Sequence, residues 1–399
     1  MKILMINVVC GIRSTGRICT DLATALEKQG HEVKIAYGRE NVPEQFQKYA
    51  VRIGNDLDVK LHGVKARLFD AAGFGSKKVT EKFIEWVKQY DPDVIHLHNL
   101  HGYYINVEVL FKYLKTCGKR IIWTLHDCWS FTGHCTYFDY VGCEKWKYGC
   151  EKCPQKEEYP SSKGLDQSRK HYIQKKKIFT DIPNMILVTP SQWLANLVKE
   201  SYLKEYSVQV IHNGIDTSVF KPTKNDIHER YHCENKKIVL GVAAIWDRRK
   251  GLDTFLELSE KLDETYQIIL VGLTKNQISE LPENIIGIER TNSVEELVKL
   301  YSAAYVFVNP TLEDNYPTTN LEAIACGTPV ITYDTGGSGE SAIKNGYVVE
   351  KNINAIYKKI IFLKKNYLKS SDNILKNISN KYFTWRYYQT YMQNIKEYR

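Results

Sequence analysis

The stretch from Ala304 to Glu340 constrains the fold more than any other part of the chain. It opens with a short apolar and β-branched run, Tyr305 to Val308, which predicts a buried strand. A polar loop, Thr311 to Thr319, leads to a short predicted helix and to a second strand, Val330 to Tyr333. Strand, polar loop, helix and strand make half of a doubly wound sheet, whose ligands bind beyond the carboxyl ends of the strands. The sequence therefore predicts an α/β protein with parallel sheets.

Two carboxylates mark this stretch as a candidate binding site. Asp314 lies in the polar loop, and Glu322 lies in the predicted first turn of the helix. Thr318, Thr319 and Asn320 are the candidate N-caps of that helix. A helix N-terminus suits a phosphate, whereas carboxylates beside it can accept hydrogen bonds from sugar or ribose hydroxyls. The local pattern alone favours a simpler interpretation, in which these acids only stabilise the helix.

The stretch resembles the signature of glycosyltransferase family 4, whose members are retaining enzymes with the GT-B fold. That signature has two glutamates separated by seven residues, followed by Ala-x-Ala-x-Gly-x-Pro-Val, and residues 322–330 match its second half. Asp314 stands at the position of the first acid, unless Glu313 takes that role through a one-residue shift. The family has glycines after the first acid, whereas residues 315–317 here are Asn-Tyr-Pro, and proline offers no N–H. The resemblance implies two Rossmann-like, doubly wound domains that face a central cleft.

The length of the chain also predicts two domains, because 399 residues are too many for one comfortable hydrophobic core. We expect residues 1–220 to form an N-terminal, acceptor-side domain with a cysteine-rich insertion at 128–155. Residues 221–380 are expected to form the C-terminal domain that binds the nucleotide-sugar donor. We expect residues 381–399 to form a helix that returns to the N-terminal domain.

Composition and charge indicate in which compartment the protein is found and which partners it binds. Apolar residues make up 43% and charged residues 25%, which is typical of a globular protein, and no signal peptide or bilayer-spanning run is visible. We therefore expect a cytoplasmic protein whose cysteines are mostly reduced.

Residues 351–399 hold eleven Lys or Arg and two acids, 11 − 2 = +9, which equals the net charge of the chain. This basic tail predicts solvated helix faces or peripheral contact with an anionic membrane at its inner face, and we expect no nucleic acid. The candidate contacts are Lys358, Lys359, Lys364 and Lys365.

Three consecutive cations, Arg248, Arg249 and Lys250, precede Gly251 and a predicted helix. Cations that neutralise charge and donate hydrogen bonds suit a diphosphate, and an exposed basic turn is the alternative interpretation. The family has Arg, five residues and then Lys-Gly, so Lys250 and Gly251 match while Ala244 stands at the arginine position. The resemblance therefore implies that Arg248 or Arg249 replaces the missing arginine.

The N-terminal half offers further candidate site residues. A loop that contains Gly16 and Arg17 follows the first strand, and a helix is predicted from Ile18 to Gln29. The loop matches neither the dinucleotide fingerprint nor a Walker A sequence, but the resemblance implies that Gly16 and Arg17 lie nearest the donor diphosphate and the acceptor. Two later strands end in His98-Asn99 and His126-Asp127, which resemble runs in colanic-acid and capsule-type members. The resemblance implies that His126 approaches the donor sugar.

Four cysteines, at 135, 143, 150 and 153, lie within nineteen residues, and only the last pair has the CxxC spacing. In a reduced chain, four thiolates can hold a structural zinc ion tetrahedrally. Free thiols, or disulfides in an oxidising setting, are the alternatives. The predicted metal ligands are Cys135, Cys143, Cys150 and Cys153.

Taken together, the sequence predicts a retaining, metal-independent glycosyltransferase that needs no cofactor. It would move a hexose-type sugar from a nucleoside diphosphate sugar to a surface polysaccharide or a lipid-linked oligosaccharide precursor. The alternatives are a non-catalytic sugar-nucleotide-binding partner of another transferase, or an epimerase or phosphorylase on the same fold. The predicted catalytic residues are His126, Lys250, Asp314 and Glu322. The predicted substrate-binding residues are Gly16, Arg17, Arg248, Arg249, Glu313, Thr318, Thr319 and Asn320.

Overall fold

A computed structural model of the protein describes residues 1–342, 346–363 and 372–392. The chain divides into two compact units. Among the described residues, unit 1 comprises 1–212 and 384–392, and unit 2 comprises those between 213 and 383. Unit 2 therefore includes the stretch from Lys221 to Asn235, and Ile227 and Cys233 of that stretch lie in its hydrophobic core.

Unit 1 is built on a seven-stranded sheet in which every pair of neighbouring strands is parallel. The strands are β1 Lys2–Asn7, β2 Glu32–Tyr37, β3 Ala50–Arg52, β4 Val94–Leu97, β5 Arg120–Thr124, β6 Met185–Thr189 and β7 Val208–Val210. Their order in the sheet is β3-β2-β1-β4-β5-β6-β7. The order reverses its direction between β1 and β4, which is the switch point at which doubly wound proteins bind ligands.

Helices cover this sheet because long apolar runs such as Ile3 to Ile6 are buried in it. They are α1 Arg13–Glu27, α2 Asp56–Phe69, α3 Lys77–Tyr90, α4 Val107–Leu114, α5 Ser168–Phe179 and α6 Gln192–Glu200. The predicted start of the first helix at Ile18 is wrong, because α1 begins at Arg13 directly after a tight turn at Gly11, whose φ is +74°. Gly16 and Arg17 are therefore helical residues and not loop residues.

Unit 2 repeats the architecture with a six-stranded parallel sheet. The strands are β8 Lys237–Val242, β9 Tyr266–Val271, β10 Ile285–Ile288, β11 Val306–Asn309, β12 Val330–Tyr333 and β13 Gly346–Val349. Their order is β10-β9-β8-β11-β12-β13, so the switch point lies between β8 and β11. The prediction of two doubly wound parallel sheets is confirmed.

The helices of unit 2 and the C-terminal helices complete the described part of the chain. They are α7 Ile227–Arg230, α8 Leu252–Lys261, α9 Lys275–Ser279, α10 Val294–Ala303, α11 Thr318–Ala325, α12 Ser338–Ala342, α13 Ile353–Ile361, α14 Asp372–Ile378 and α15 Asn380–Met392. Within this part of the chain, no helix combines the length and the apolar character that a membrane span requires. Of the predicted tail contacts, Lys364 and Lys365 lie outside the described residues.

The start of α11 differs from the sequence prediction. Pro317 occupies the N-cap position and makes no side-chain cap, so Thr318, Thr319 and Asn320 form the first turn. Glu322 therefore lies in the second turn, and its side chain is buried. The fixed φ of proline suits the residue that leads a chain into a helix, which explains why the threonines are not needed as caps.

Candidate active site

The loops that follow β8 and β11 bring predicted site residues together at the switch point of unit 2. The loop after β8 forms a 3₁₀ turn, Arg248–Lys250, whose N-cap Asp247 accepts a hydrogen bond from the backbone N–H of Lys250 at 3.0 Å. Gly251 ends the turn with a φ of +76°. A Cβ at Gly251 would lie 2.3 Å from the carbonyl oxygen of Pro310 in the other loop. Only glycine therefore allows the two loops to approach this closely.

Lys250 and Asp314 form an ion pair across these two loops. The Nζ of Lys250 lies 2.5 Å from Oδ2 of Asp314, and both side chains are mostly buried. Burial by itself would raise the pKa of Asp314, but the charges of Lys250 and Arg249 outweigh burial and hold the pKa of this carboxyl below its usual value. Asp314 is therefore a carboxylate at neutral pH, and Lys250 is fixed at one place by it.

Arg249 joins the same cluster through the backbone. Its Nη1 donates a hydrogen bond to the carbonyl oxygen of Glu313 at 2.9 Å, and its own carbonyl oxygen accepts one from the N–H of Leu312 at 2.8 Å. The side chain of Glu313 is buried, whereas Arg248 is exposed. Of the two predicted replacements for the family arginine, Arg249 is thus the one built into the loop that carries Asp314.

A glycine turn supports Asp314 from the other side. A Cβ at Gly336 would lie 2.1 Å from the carbonyl oxygen of Asp314, and the N–H of Gly337 donates to that oxygen at 3.0 Å. The turn at Gly336 and Gly337 therefore fixes the backbone of the loop.

Glu322 is positioned by a buried tyrosine of α10. The hydroxyl of Tyr301 donates to Oε2 of Glu322 at 3.0 Å, and both residues are buried. A hydrogen bond to a buried carboxylate stabilises its charged form and fixes its orientation. Tyr301 was not among the predicted site residues, because no local sequence pattern links a residue of α10 to one of α11.

The three residues of the first turn of α11 differ in exposure: two are partly exposed at the helix end, and one is buried. Thr318 and Thr319 are partly exposed and lie at the helix N-terminus, where amide groups point out of the helix. The side chain of Asn320 is fully buried and is held by Asn309 at 2.9 Å and by Ser341 at 2.8 Å. Asn320 therefore ties α11 to the end of β11 and to α12.

Gly16 and Arg17 are the fourth and fifth residues of α1 in unit 1. Gly16 is buried, and a Cβ there would lie 3.0 Å from the side chain of Val9 and 3.2 Å from the backbone N of Gly11. The glycine thus lets the helix pack against the turn that precedes it, while Arg17 is exposed. The N-cap of α1, Ile12, provides no side-chain hydrogen bond to the first turn.

His126 follows β5 and belongs to a row of three histidines in unit 1. Its Nε2 lies 3.0 Å from Nδ1 of His98, and the two rings are stacked. His96 lies behind them, with its ring centroid 4.0 Å from that of His98. Burial is the main reason that the pKa of His126 is lowered to about 4; the charge of Asp127 opposes the shift, and His101 adds to it. His126 is therefore neutral at physiological pH and can share a proton but carries no charge.

Beside His126, Asp127, which the sequence placed at the same strand end, pairs with His101, which the sequence prediction did not include. Nε2 of His101 lies 2.7 Å from Oδ2 of Asp127, and Nδ1 of His101 lies 3.2 Å from the hydroxyl of Tyr159. Burial raises the pKa of Asp127, but His101 and the N–H of Trp129 more than compensate and lower it. The His-x-x-His spacing of residues 98 and 101 is the signal in the sequence that could have identified this pair. His98, His101, His126 and Asp127 line one small open pocket at the ends of β4 and β5.

The histidine row is anchored by helix α15. Nδ1 of His96 lies 2.6 Å from the hydroxyl of Tyr391, and Nε2 lies 2.8 Å from Oγ1 of Thr124, which also meets the hydroxyl of Tyr387 at 2.8 Å. Both ring nitrogens of His96 are thus engaged, and burial lowers the pKa of His96 to about 3. The C-terminal helix therefore supports the residues behind His126.

The four predicted zinc ligands line one small open pocket in the loop between β5 and α5. Aromatic side chains pack around it, with Phe138 and Trp146 stacked at 5.0 Å. Lys175 of α5 is buried beneath this loop and donates to the carbonyl oxygens of Trp129 at 2.8 Å and Thr132 at 3.2 Å. In residues 1–342, 346–363 and 372–392, no group of three or more His, Cys, Asp or Glu side chains is arranged to hold a metal ion. The zinc site thus stays a prediction that this geometry does not support.

The candidate residues of the two units differ in their chemistry. Unit 2 offers cations, first-turn amides and two carboxylates at a switch point, which suits a diphosphate joined to hydroxyl-bearing groups. Unit 1 offers neutral histidines and a His–Asp pair at the end of its sheet. Two doubly wound units with these sites define a glycosyltransferase of the GT-B type.

The comparisons with known proteins agree with this class. A model described as Glycosyltransferase Family 4 matches residues 15–219, and one described as Glycosyl transferases group 1 matches residues 236–366. The chain therefore belongs to glycosyltransferase family 4, and the family prediction is confirmed. It is 25% identical over 358 residues to the putative colanic acid biosynthesis glycosyl transferase WcaC of Escherichia coli K12, covering 87% of this chain and 86% of that protein.

Solved structures show the same fold. Sucrose-phosphate synthase from Thermosynechococcus elongatus matches with a TM-score of 0.72 and 18% identity, over 99% of both chains. Anabaena Alr3699/HepE in complex with UDP-glucose matches with a TM-score of 0.67 and 14% identity, over 98% of this chain and 100% of that one. The prediction of a GT-B fold is confirmed.

Proposed function

We propose that this glycosyltransferase is a retaining enzyme of polysaccharide biosynthesis. It transfers a hexose-type sugar from a nucleoside diphosphate sugar to a surface polysaccharide or a lipid-linked oligosaccharide precursor. The observation that carries the proposal is the Lys250–Asp314 ion pair at the switch point of unit 2. The colanic acid relative and the UDP-glucose complex of a protein with the same fold support the substrate class.

The leaving diphosphate is the group that most needs stabilisation, because its negative charge grows as the bond to the anomeric carbon breaks. Lys250 and Arg249 supply positive charge at this place, and the first-turn amides at Thr318 and Thr319 supply hydrogen-bond donors. Charges that are positioned before the reaction need no reorganisation in the transition state. A divalent ion is not required for this step, since the cations and the helix end take over its role.

The two carboxylates bind neutral hydroxyls of the donor. Asp314 accepts hydrogen bonds from the donor sugar while it keeps Lys250 in place. Glu322, held by Tyr301, accepts hydrogen bonds from the ribose. His126 of unit 1 contacts the donor sugar as an uncharged ring, because its pKa is lowered to about 4.

Retention of configuration follows if the acceptor attacks from the side on which the diphosphate leaves. No side chain is assigned as an enzymic nucleophile, and a phosphate oxygen of the donor takes the proton of the acceptor hydroxyl. The anomeric carbon–oxygen bond to the diphosphate breaks while the bond to the acceptor oxygen forms on the same face.

Release of nucleoside diphosphate from a panel of UDP-, GDP- and ADP-sugars tests this function. The proposal expects slow hydrolysis of one donor without an acceptor and a configuration-retaining product with one. Turnover that produces an isomerised donor indicates an epimerase, and turnover that needs inorganic phosphate indicates a phosphorylase. Binding of a donor without any turnover indicates a non-catalytic partner of another transferase.

A further inference from the structure

Helix α2 of unit 1 carries its large apolar side chains on the outside. Leu57 is 63% exposed, Leu61 55%, Val64 51% and Leu68 51%. Their spacing of four, three and four residues places them on one face of the helix. We call these four side chains the α2 stripe. A contiguous exposed apolar face of this kind marks an interaction surface, since single exposed apolar residues are ordinary but rows of them are not.

The opposite face of α2 carries small and polar residues, and it packs against the rest of unit 1. His62, Gly63 and Ala66 are the buried residues of the helix. Nδ1 of His62 lies 2.9 Å from Oγ of Ser76, and Nε2 accepts a hydrogen bond from the N–H of Gly75 at 3.1 Å. These contacts fix the rotation of the helix about its axis. The exposure of the α2 stripe is therefore built into the fold.

The apolar surface continues beyond the helix. Phe69, the last residue of α2, is 51% exposed, and Leu165 is 55% exposed. Leu165 is placed beside the helix end by a hydrogen bond from its N–H to the carbonyl oxygen of Leu68 at 3.1 Å. The surface thus includes two segments that are far apart in sequence.

Cations border this apolar surface. With 3.6 residues per turn, Lys60 and Lys65 fall on the two flanks of the α2 stripe, and both are exposed. Arg67 and Lys163 are also exposed, and the N–H of Lys163 donates to the carbonyl oxygen of Arg67 at 2.9 Å. Of the exposed acids near the helix start, Asp56 forms an ion pair with Arg52. Positive charge therefore lies on both flanks of the apolar stripe, while Asp58 at the helix start and Asp166 beside Leu165 are the acids nearest to it.

We propose that α2 is an interfacial helix that docks unit 1 onto an anionic lipid bilayer. An apolar stripe with lysines on its flanks is the pattern of a helix that lies in the plane of a membrane interface, with its apolar face among the acyl chains and its cations at the headgroups. The helix has 14 residues, which suits lying on a bilayer and not crossing it.

The charges favour a bilayer over a second copy of this chain. A two-fold dimer through the α2 stripe would bring the same surface of both copies together, including Lys60 and Lys65 of each. Four or more cations would then face one another around an apolar contact. An anionic membrane instead provides the opposite charge for every one of them.

This inference goes beyond the proposed function because it rests on α2 and the adjacent residues Lys163 and Leu165 and involves no residue of the candidate active site. It also fits a lipid-linked acceptor, which would be reached at the membrane surface. Vesicle binding and donor turnover are separate measurements, so either proposal can fail while the other holds.

The test is flotation of the full-length protein with vesicles of phosphatidylcholine alone and with vesicles in which about a third of the lipid is phosphatidylglycerol. We expect binding to the anionic vesicles and much weaker binding to the neutral ones. Leu61→Gln/Leu68→Gln should lower the partition coefficient on anionic vesicles about tenfold or more, and Lys60→Gln/Lys65→Gln should do the same. All four side chains are exposed, so these variants should fold like the parent protein.

Matched controls use the same substitutions elsewhere. Val219→Gln/Val294→Gln changes two exposed apolar residues of unit 2, and Lys261→Gln/Lys275→Gln changes two exposed lysines of unit 2. Both controls should bind vesicles like the parent protein, and all four variants should keep its donor hydrolysis rate. The inference is overturned if the parent protein floats with neither vesicle, or if Leu61→Gln/Leu68→Gln binds unchanged. A protein that dimerises without lipid, and loses the dimer in that variant, would show that a second copy covers the stripe and would also overturn it.

Discussion

The ammonium group of Lys250 lies 2.5 Å from a carboxylate oxygen of Asp314, which joins the loop after β8 to the loop after β11. These two strands are neighbours in the sheet and flank its switch point. The ion pair therefore sits where a doubly wound domain binds its ligand. Because both side chains are mostly shielded from water, the pair positions Lys250 more firmly than an exposed salt bridge could.

Asp314→Asn should lower kcat/KM for the donor by about a hundredfold, because Lys250 loses its partner and the sugar hydroxyls lose a charged acceptor. Steady-state kinetics with the preferred donor measure this effect. Asp253→Asn, at an exposed position in the first turn of α8, is the control and should retain parental kinetics. An Asp314→Asn variant with parental kcat/KM would remove Asp314 from the site.

Tyr301→Phe should raise KM for the donor and lower stability by about 1–3 kcal/mol, since it removes a hydrogen bond from the buried carboxylate of Glu322. Tyr305→Phe is a matched control, because the hydroxyl of Tyr305 donates to the carbonyl oxygen of Leu363 at 2.6 Å, away from Glu322. Thermal unfolding and donor kinetics should show a stability loss in both variants and a KM change only in the first. Equal KM values in the two variants would contradict the role of Glu322 at the ribose.

The stability of the protein should fall as the pH falls below about 6.5. Burial lowers the pKa of His96 to about 3, so between about pH 3 and 6.5 the unfolded chain binds a proton that the folded chain does not. The contribution of His96 amounts to about 2 kcal/mol lost between pH 7 and pH 5. Chemical unfolding at the two pH values should show a smaller loss in His96→Gln than in the parent protein.

The control for this pH experiment is His228→Gln, on α7 of unit 2 and outside the histidine row. It should keep the parental pH dependence. An unchanged pH dependence in His96→Gln would show that His96 does not stay neutral in the folded protein.

Metal analysis of the purified protein tests the zinc prediction for the cysteine loop. The prediction requires about one zinc per chain, which Cys143→Ser should reduce and Cys117→Ser should not. Protein without zinc, in which all four loop thiols react with a thiol reagent, would refute it. The loop would then be held without a metal ion, by its aromatic packing and by hydrogen bonds such as those of Lys175.

The strands of the two parallel sheets could be predicted from the sequence, because buried parallel strands such as β11 and β12 are continuous apolar runs. Local signals were less reliable at helix ends. The start of α1 was placed at Ile18 because Gly16 was interpreted as a loop glycine, whereas it is a helical glycine that packs against Val9. The start of α11 was misplaced for a related reason, since proline and threonine both favour a helix N-terminus.

The contacts of the site could be predicted only in part. Lys250 and Asp314 were both selected, but their pairing depends on the approach of two loops, which Gly251 permits against Pro310. Tyr301 acts on a residue of another helix, and a single sequence contains no signal for such a long-range pair, whereas His101 could have been identified only from its His-x-x-His spacing with His98. The exposure of the α2 stripe was hidden in the same way, because a sequence pattern shows an apolar face but not whether the core covers it.

The central claim is that Lys250 stabilises the leaving diphosphate of a nucleotide sugar. Donor turnover by Lys250→Ala, measured beside Lys261→Ala with the donor that the parent protein prefers, tests it most directly. The account predicts a loss of about a hundredfold or more in kcat for Lys250→Ala and parental turnover for Lys261→Ala. Full activity in Lys250→Ala would contradict it.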